Sequence, residues 1–416
     1  MGFFGIRLSR KPIRGTARIV HVLLVTLIFM LTLFGLFANR FTLRGRSRYI
    51  FSKKYLAYAM LITAVFTTIY VRQMYSDYTM SKLNLRDAVK LYSYMNITVA
   101  IINFITQMLM SKTVARMMSQ VPLFETINSL HIDGRTVMTS VMLALIKVLG
   151  FPFVMEVALI VQQKRIEPNL RWSWTFYTLF PMVISNFLNN CYFGAMIIVK
   201  NIMQALNERL KTQVQQVNLM QHEKQRKLYS KYYRIQRFCT LADELDELAI
   251  KYKMICRQST DYMALMSLSI VLSLICHLLG ITVGVFNQYY AIAESVIGKK
   301  PYDAFGAFIN LVFLSISLLE IALLTYLSND ILSEMQATGR ILQEMHVDQA
   351  DWRYQRSVHS FSLLVIVIKY RIKPMGLFEM DISLINSVLS AVASFSLILV
   401  QSDLSQRFKR SQQFFT

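Results

Sequence analysis

Charge is scarce in this chain, and acid is scarcer than base. Only 17% of the 416 residues are Asp, Glu, Lys or Arg, while 54% are hydrophobic and the mean hydropathy is +0.40. A soluble domain carries about a quarter charged residues, so a water-soluble globular fold is excluded and the composition is that of an integral membrane protein. Glycine is scarce too, at 14 residues, about half the usual ~7%. Secondary transporters generally need Gly- or Pro-broken helices in two matching halves. Here Pro152 and Pro181 sit in adjacent spans with no duplicated counterpart, which weighs against a transporter. Cysteine occurs four times: Cys191 and Cys276 within spans, Cys239 and Cys256 in a cytoplasmic connection. No disulfide framework follows, and the spacing suits no metal site. The six histidines are scattered, and neither a Gly-rich phosphate loop nor a Cys/His cluster is present. An enzyme, a cofactor and a metal are therefore not expected. Strand-like alternation bounded by turns is missing as well, which argues against a β-barrel.

Long hydrophobic runs take the place of what is missing. Seven stretches reach the length a helix needs to cross the hydrocarbon, at about 55–71, 91–110, 138–161, 175–199, 262–286, 305–327 and 384–402. The expected fold is an all-α membrane protein. With the N-terminus inside, the cytoplasmic segments hold 32 Lys and Arg and the outer ones 12, the positive-inside bias. The C-terminus is then outside, with Arg407, Lys409 and Arg410 on the unfavoured side. A further run, 19–37, has basic clusters on both flanks, and a true crossing would invert every later segment. It reads as a re-entrant or interfacial helix. The resulting division is a cytoplasmic N-terminus with that helix (1–54), transmembrane helices 1–4 (55–199), a cytoplasmic helical extension (200–261), helices 5–6 (262–327), cytoplasmic anchor helices (328–383), helix 7 (384–402) and an extracellular C-terminus (403–416). Pro374-Met375-Gly376 breaks the chain just before the last span.

That last span carries a single polar stripe: Ser387, Ser390, Ser394, Gln401 and Ser405, at helical spacing. Such a stripe either packs closely against another helix, as small residues do in membranes, or faces water. Span 2 has a second polar face, Tyr92, Asn96, Asn103 and Gln107, which must look into the bundle; its outer half, Tyr92 and Asn96, is read as lining a ligand cavity. The glycosylation sequon at Asn96 lies inside that span and is read as unused. Span 3 carries Lys147 and Glu156 nine residues apart, on opposite faces. Lys147 is read as neutralising a partner such as Glu320 of span 6, and Glu156, near the outer end, as a counter-ion for a cationic ligand. Aromatic residues gather in the outer halves, Phe153, Trp174, Tyr177, Phe180, Phe286, Phe305 and Phe308 among them. Phe180, Asn186, His277 and Asn310 lie deeper and with Glu156 make the candidate pocket, apolar with few polar groups. Phe153, Tyr177 and Phe308 are further ligand-binding candidates, although Trp174 and Tyr177 also suit the interfacial belt and His277 a satisfied core position.

Seven spans, an inside N-terminus, a long cytoplasmic stretch before span 5 and a terminal span at the chain's edge resemble the insect gustatory receptor family, relatives of the odorant receptors and their co-receptor. That family's last span carries Thr-Tyr, five hydrophobic residues, then Gln-Phe. Here Ser394-Phe395 is followed by Ser396–Val400 and then Gln401-Ser402, keeping the spacing and the glutamine. Upstream, Phe361 and Leu364 followed by Gly376-Leu377-Phe378 resemble the family's Gly-Leu-Phe element. The resemblance implies a ligand-gated, poorly selective cation channel of the plasma membrane of gustatory neurons, a homo- or heterotetramer with related subunits whose last helices line a central pore. Ser394, Ile398 and Gln401 then face the pore, since water at a pore mouth satisfies a glutamine amide. Ile398, with Phe395, forms the hydrophobic gate, Ser402 stands where relatives narrow the pore again, and Asp403 gives an outer ring of carboxylates. The ligand is a small-molecule tastant, with a lean to bitter compounds because no polar cluster is rich enough for sugar hydroxyls. The alternatives are a seven-helix G-protein-coupled receptor, which needs an outside N-terminus, and a secondary transporter. No nucleic-acid partner is expected.

Overall fold

The computed structural model describes residues 16–42, 48–79, 88–120, 134–166, 172–221, 230–297, 301–345, 347 and 350–413. Ten α-helices account for nearly all of them: α1 (Thr16–Leu33), α2 (Lys53–Thr79), α3 (Ala88–Gln120), α4 (Gly134–Leu145), α5 (Phe151–Ile166), α6 (Trp172–Gln221), α7 (Lys231–Val296), α8 (Ala304–Gln343), α9 (Trp352–Val367) and α10 (Ser383–Gln413). A single π-helical turn, Ile146–Gly150, joins α4 to α5 into one rod. Among the described residues seven helical segments are long and apolar enough to cross a membrane, matching the seven expected spans.

Length separates the two ends of the bundle. At 1.5 Å per residue, α6 (50 residues) and α7 (66 residues) run ~75 and ~99 Å, far beyond a ~30 Å hydrocarbon core. Their surplus forms a second bundle with α8 and α9. Its core repeats every three or four residues: Leu206, Leu210, Val214 and Val217 of α6; Leu241, Leu245, Leu248 and Tyr252 of α7; Ile331, Met335 and Leu342 of α8; Tyr354, Val358 and Phe361 of α9. One polar layer fixes the register of α6 on α8. Asn207 Nδ2 donates to Glu334 O and Oε2, both at 2.9 Å, and its Oδ1 accepts from Thr338 Oγ1 at 2.7 Å. The opposite end has only short connections, 297–303 between α7 and α8 among them.

The N-terminal segment enters the bundle and turns back. Phe34 packs on Phe180 and Phe187 of α6, with ring centroids 5.7 and 6.4 Å apart. The chain then forms a two-stranded antiparallel hairpin, β1 (Asn39–Thr42) with β2 (Arg48–Phe51), Asn39 opposite Phe51. The hairpin lies on the extended end of α3: Ser119 Oγ accepts from Tyr49 N at 3.0 Å and donates to Tyr49 O at 2.9 Å, while Asn39 Nδ2 donates to Ser111 O. The chain thus reverses between α1 and α2. The hairpin itself is an addition to the all-helical expectation, since two four-residue strands are too short to register as alternation.

Gly35 makes the reversal. Leu36 N donates to Leu31 O and Gly35 N to Thr32 O, a Schellman ending with Gly35 at φ +72°. A Cβ there would also lie 3.0 Å from Ile62 Cβ. Gly35→Ala is expected to cost about 1–2 kcal/mol from the left-handed conformation alone. The thermal midpoint of purified protein checks this; an unchanged midpoint would show that the turn does not constrain α1.

Candidate ligand cavity and pore helix

In lipid the hydrophobic effect does not draw helices together, so small residues and polar contacts do. α7 supplies both near its short-loop end. Gly280 and Gly284, four residues apart, let α3 and α8 approach closely: a Cβ at Gly280 would lie 2.9 Å from the Tyr92 ring, and one at Gly284 2.5 Å from Leu314. Beyond this contact the helices part, leaving a cavity of about 300 Å³ between α3, α7 and α8. Tyr92 and Phe313 stand edge to face at 5.4 Å on its wall. Asn287, Gln288, Tyr290 and Asn310 are the polar-headed side chains lining it, and Asp303 lies at its exposed rim. Two amides are already engaged: Asn310 Nδ2 donates to Gly284 O at 2.9 Å and Gln288 Nε2 to Ala307 O at 2.7 Å. Asp303 caps α8 by accepting from Gly306 N at 3.0 Å and pairs with Arg165 at 2.7 Å. The backbone amide and the guanidinium together hold its carboxyl below the usual range.

The cavity therefore gathers two residues read from the sequence, Tyr92 and Asn310, and not the others. Asn96 is buried in the α3–α6 seam, where its Oδ1 accepts from Ser185 Oγ at 2.6 Å and its Nδ2 donates to Tyr92 O. It works as a helix–helix bond, and its burial also fits an unused sequon. Asn103 continues the seam, donating to Ser185 O and accepting from Ser269 Oγ. Phe153 and Phe308 point outward, 67% and 60% exposed. Phe180 packs on Phe34 and Phe66, Tyr177 stacks on Tyr70 at 4.8 Å, and Asn186 is buried in the bundle. The side chain of Glu156 lies outside the described residues. Asn287, Gln288 and Tyr290 escaped the sequence reading because they sit past the expected end of span 5, where α7 continues for ten more residues.

Deeper in the bundle a charged cluster ties four helical segments together. Lys147, in the π turn, has its Nζ 2.9 Å from Asn190 Oδ1 of α6 and 3.6 Å from Glu320 Oε2 of α8. His277 Nε2 of α7 lies 2.9 Å from the same carboxylate oxygen. Lys147 is fully buried and Glu320 nearly so, as expected for intramembrane charges that have found each other. His277 thus belongs to this cluster rather than to the cavity wall.

The last helix is sparsely covered. Val392 and Ser396 are its only buried described residues, and with Val388 they rest on α7 and α8 beside Ile281 and Ile321. At 100° per residue, Ser390, Ser394, Ile398 and Gln401 lie on the opposite side, and all are exposed, Ile398 by 59%. Phe395 and Ser402 are exposed on the flank. Asp403 instead turns back toward its own subunit, accepting from Arg407 Nε at 2.5 Å and from the Tyr289 hydroxyl at 3.4 Å. A row of free carboxylates on the exposed stripe is not formed.

A sequence profile described as 7tm Chemosensory receptor matches residues 24–406. The chain belongs to that family. It is 56% identical over 392 residues to gustatory receptor 94a of Drosophila melanogaster, covering 94% of this chain and 97% of the relative. Against gustatory receptor 97a of the same fly the identity is 36% over 404 residues, 95% of each chain. A more distant relative, the fly's gustatory receptor for bitter taste 93a, is 20% identical over 226 residues, 54% of this chain and 52% of the relative. Among solved structures, the insect olfactory receptor OR5 from Machilis hrabei superposes with a TM-score of 0.65 at 10% identity, over 93% of this chain and all of that one. The receptor therefore shares the insect olfactory receptor fold, and neither the family nor that fold is enzymatic.

Truncating one member of a buried pair leaves the other charge uncompensated. Lys147→Met is expected to destabilise the receptor by about 3–5 kcal/mol and to deplete it from the cell surface. Lys147→Met with Glu320→Leu removes both charges and recovers delivery. Surface biotinylation reads both; wild-type levels for the single variant would show that the cluster carries no stability.

Proposed function

We propose that the receptor is a tastant-gated, nonselective cation channel of the plasma membrane of gustatory neurons, a tetramer of identical or related subunits. A small molecule enters the cavity between α3, α7 and α8, with the short-loop end outside, and shifts a closed–open equilibrium of four α10 helices around a central axis. The reading is carried by one observation: α10 leaves its stripe Ser390, Ser394, Ile398 and Gln401 exposed on the side away from its own subunit. Four such stripes meeting on an axis give a pore closed by dewetting at Ile398 and wetted at Gln401. Phe395 and Ser402 then border it, and Asp403 stands behind the wall.

The cavity chemistry favours a neutral or weakly polar, ring-containing ligand. Tyr92, Phe313 and Tyr290 offer aromatic surface, while the nitrogens of Gln288 and Asn310 already bond to backbone. Few groups remain for the many hydroxyls of a sugar. This supports the lean toward bitter compounds, as does the resemblance to a receptor named for bitter taste.

Whole-cell recording from cells expressing the chain, alone and with related subunits, against a panel of tastants tests the channel. In Gln401→Cys, an impermeant thiol reagent applied from outside is expected to modify the cysteine and reduce the evoked current. A cysteine at that position that stays unreactive at rest and under stimulation would remove α10 from the ion path.

A further inference from the structure

The short-loop ends of α7 and α10 are joined by a cluster that touches the cavity only through Tyr290 and lies off the exposed stripe. Arg407 Nη1 lies 3.0 Å from Glu294 Oε1 of α7, and its Nε 2.5 Å from Asp403 Oδ2 of its own helix. The guanidinium also sits over the Tyr290 ring, 5.2 Å from its centroid. Tyr289 completes the group by donating to Asp403 at 3.4 Å. The charged side chains are largely shielded, Arg407 being 21% exposed and Glu294 and Asp403 13% each. Shielding strengthens both the ion pairs and the cation–π contact relative to surface equivalents. A guanidinium is charged at any physiological pH, so the pairs are permanent charges.

Tyr290 belongs to two structures at once. It lines the cavity, which Arg407 does not, and it carries Arg407. We infer that Tyr290 and Arg407 couple the cavity to the pore helix, so that a molecule packing against Tyr290 on the cavity side alters the hold on Arg407 and thereby the position of α10. This rests on the channel reading above. The geometry also gives a direction. The cluster draws the end of α10 onto its own α7, away from the axis on which four exposed stripes would meet. It therefore favours the wider pore, and its loss lets the stripes approach.

The test needs no identified tastant. In receptor carrying Gln401→Cys, the modification rate by the cationic, impermeant reagent trimethylammonium-ethyl methanethiosulfonate is measured on intact cells, normalised to surface level. Arg407→Gln and Tyr290→Leu are each expected to slow the rate about threefold or more, the scale of a shielded cation–π contact. Tyr290→Phe keeps the ring under the guanidinium and is expected to slow the rate less than Tyr290→Leu. Removing a positive charge near the site would by itself speed a cationic reagent, so slowing cannot arise from simple electrostatics. Unchanged or faster rates in both Arg407→Gln and Tyr290→Leu overturn the coupling, and the parent's own reaction then leaves the channel reading standing. A parent that never reacts overturns the channel reading and this inference with it.

Discussion

The last helix has a partner on one side only, and the rest of the molecule is arranged around that fact. Val388, Val392 and Ser396 set α10 into the groove between α7 and α8. The remaining surface of α10 has aliphatic flanks suited to lipid or another protein, and a stripe of serines, of which Ser394 donates to Ser390 O, with one glutamine. A glutamine amide in hydrocarbon without partners costs several kcal/mol. Gln401 is exposed, and under the channel proposal a wetted axis gives its amide water while the aliphatic flanks face lipid and adjacent subunits.

The bundle that presents this helix is held by two kinds of contact. In the membrane, rigidity comes from polar contacts whose alternatives are costly: Asn96, Ser185, Asn103 and Ser269 along the α3–α6–α7 seam, and Lys147, His277, Glu320 and Asn190 across the π turn, α6, α7 and α8. Outside the span the same helices continue into a bundle with an apolar core in water, where the hydrophobic effect takes over. The two regions are held by different forces but share continuous helices, so the anchor and the span act as one body. Met375 and Gly376, at φ 50° and 74°, mark where that body ends. The chain reverses there and α10 begins, attached to the anchor only through this turn and its flanking contacts.

Hydropathy made the spans legible because lipid imposes length and composition directly on sequence, and charge asymmetry suggested their orientation. The pairing of Lys147 with Glu320 was legible for the same reason, since two intramembrane charges have few other ways to be satisfied. The exposed stripe was legible as a period, although its periodicity alone did not separate packing from water. The cavity was far less so. Phe153, Phe180 and Phe308 resemble cavity aromatics in composition, yet one packs in the core and two face outward, because apolar side chains suit lipid, core and pocket equally. Asn96 shows the limit for polar residues: inward direction follows from cost, but whether a neighbouring helix or a ligand meets the amide depends on Ser185, 89 residues away. The hairpin at Asn39–Phe51 was invisible because its partner surface, Ser111 to Ser119, belongs to another element.

α7 is where these requirements converge. The same stretch, Gly280 to Glu294, forms a cavity wall, supports α10 through Ile281, and grips Arg407. A Cβ at Gly284 would lie 2.5 Å from Leu314, so α7 and α8 are in close contact there. Gly284 also lines the cavity, and Leu314 packs on the cluster of Ile281, Ile321 and Val392 that seats α10. A molecule that fills about 300 Å³ beside a contact this tight has little free space to occupy without shifting one helix against the other, because packed interiors yield by changing arrangement rather than by compressing. Any such shift changes the groove in which α10 lies. Under the channel proposal, ligand size and shape at Tyr92, Tyr290 and Phe313 become geometry at Val392, and through it the setting of Ile398.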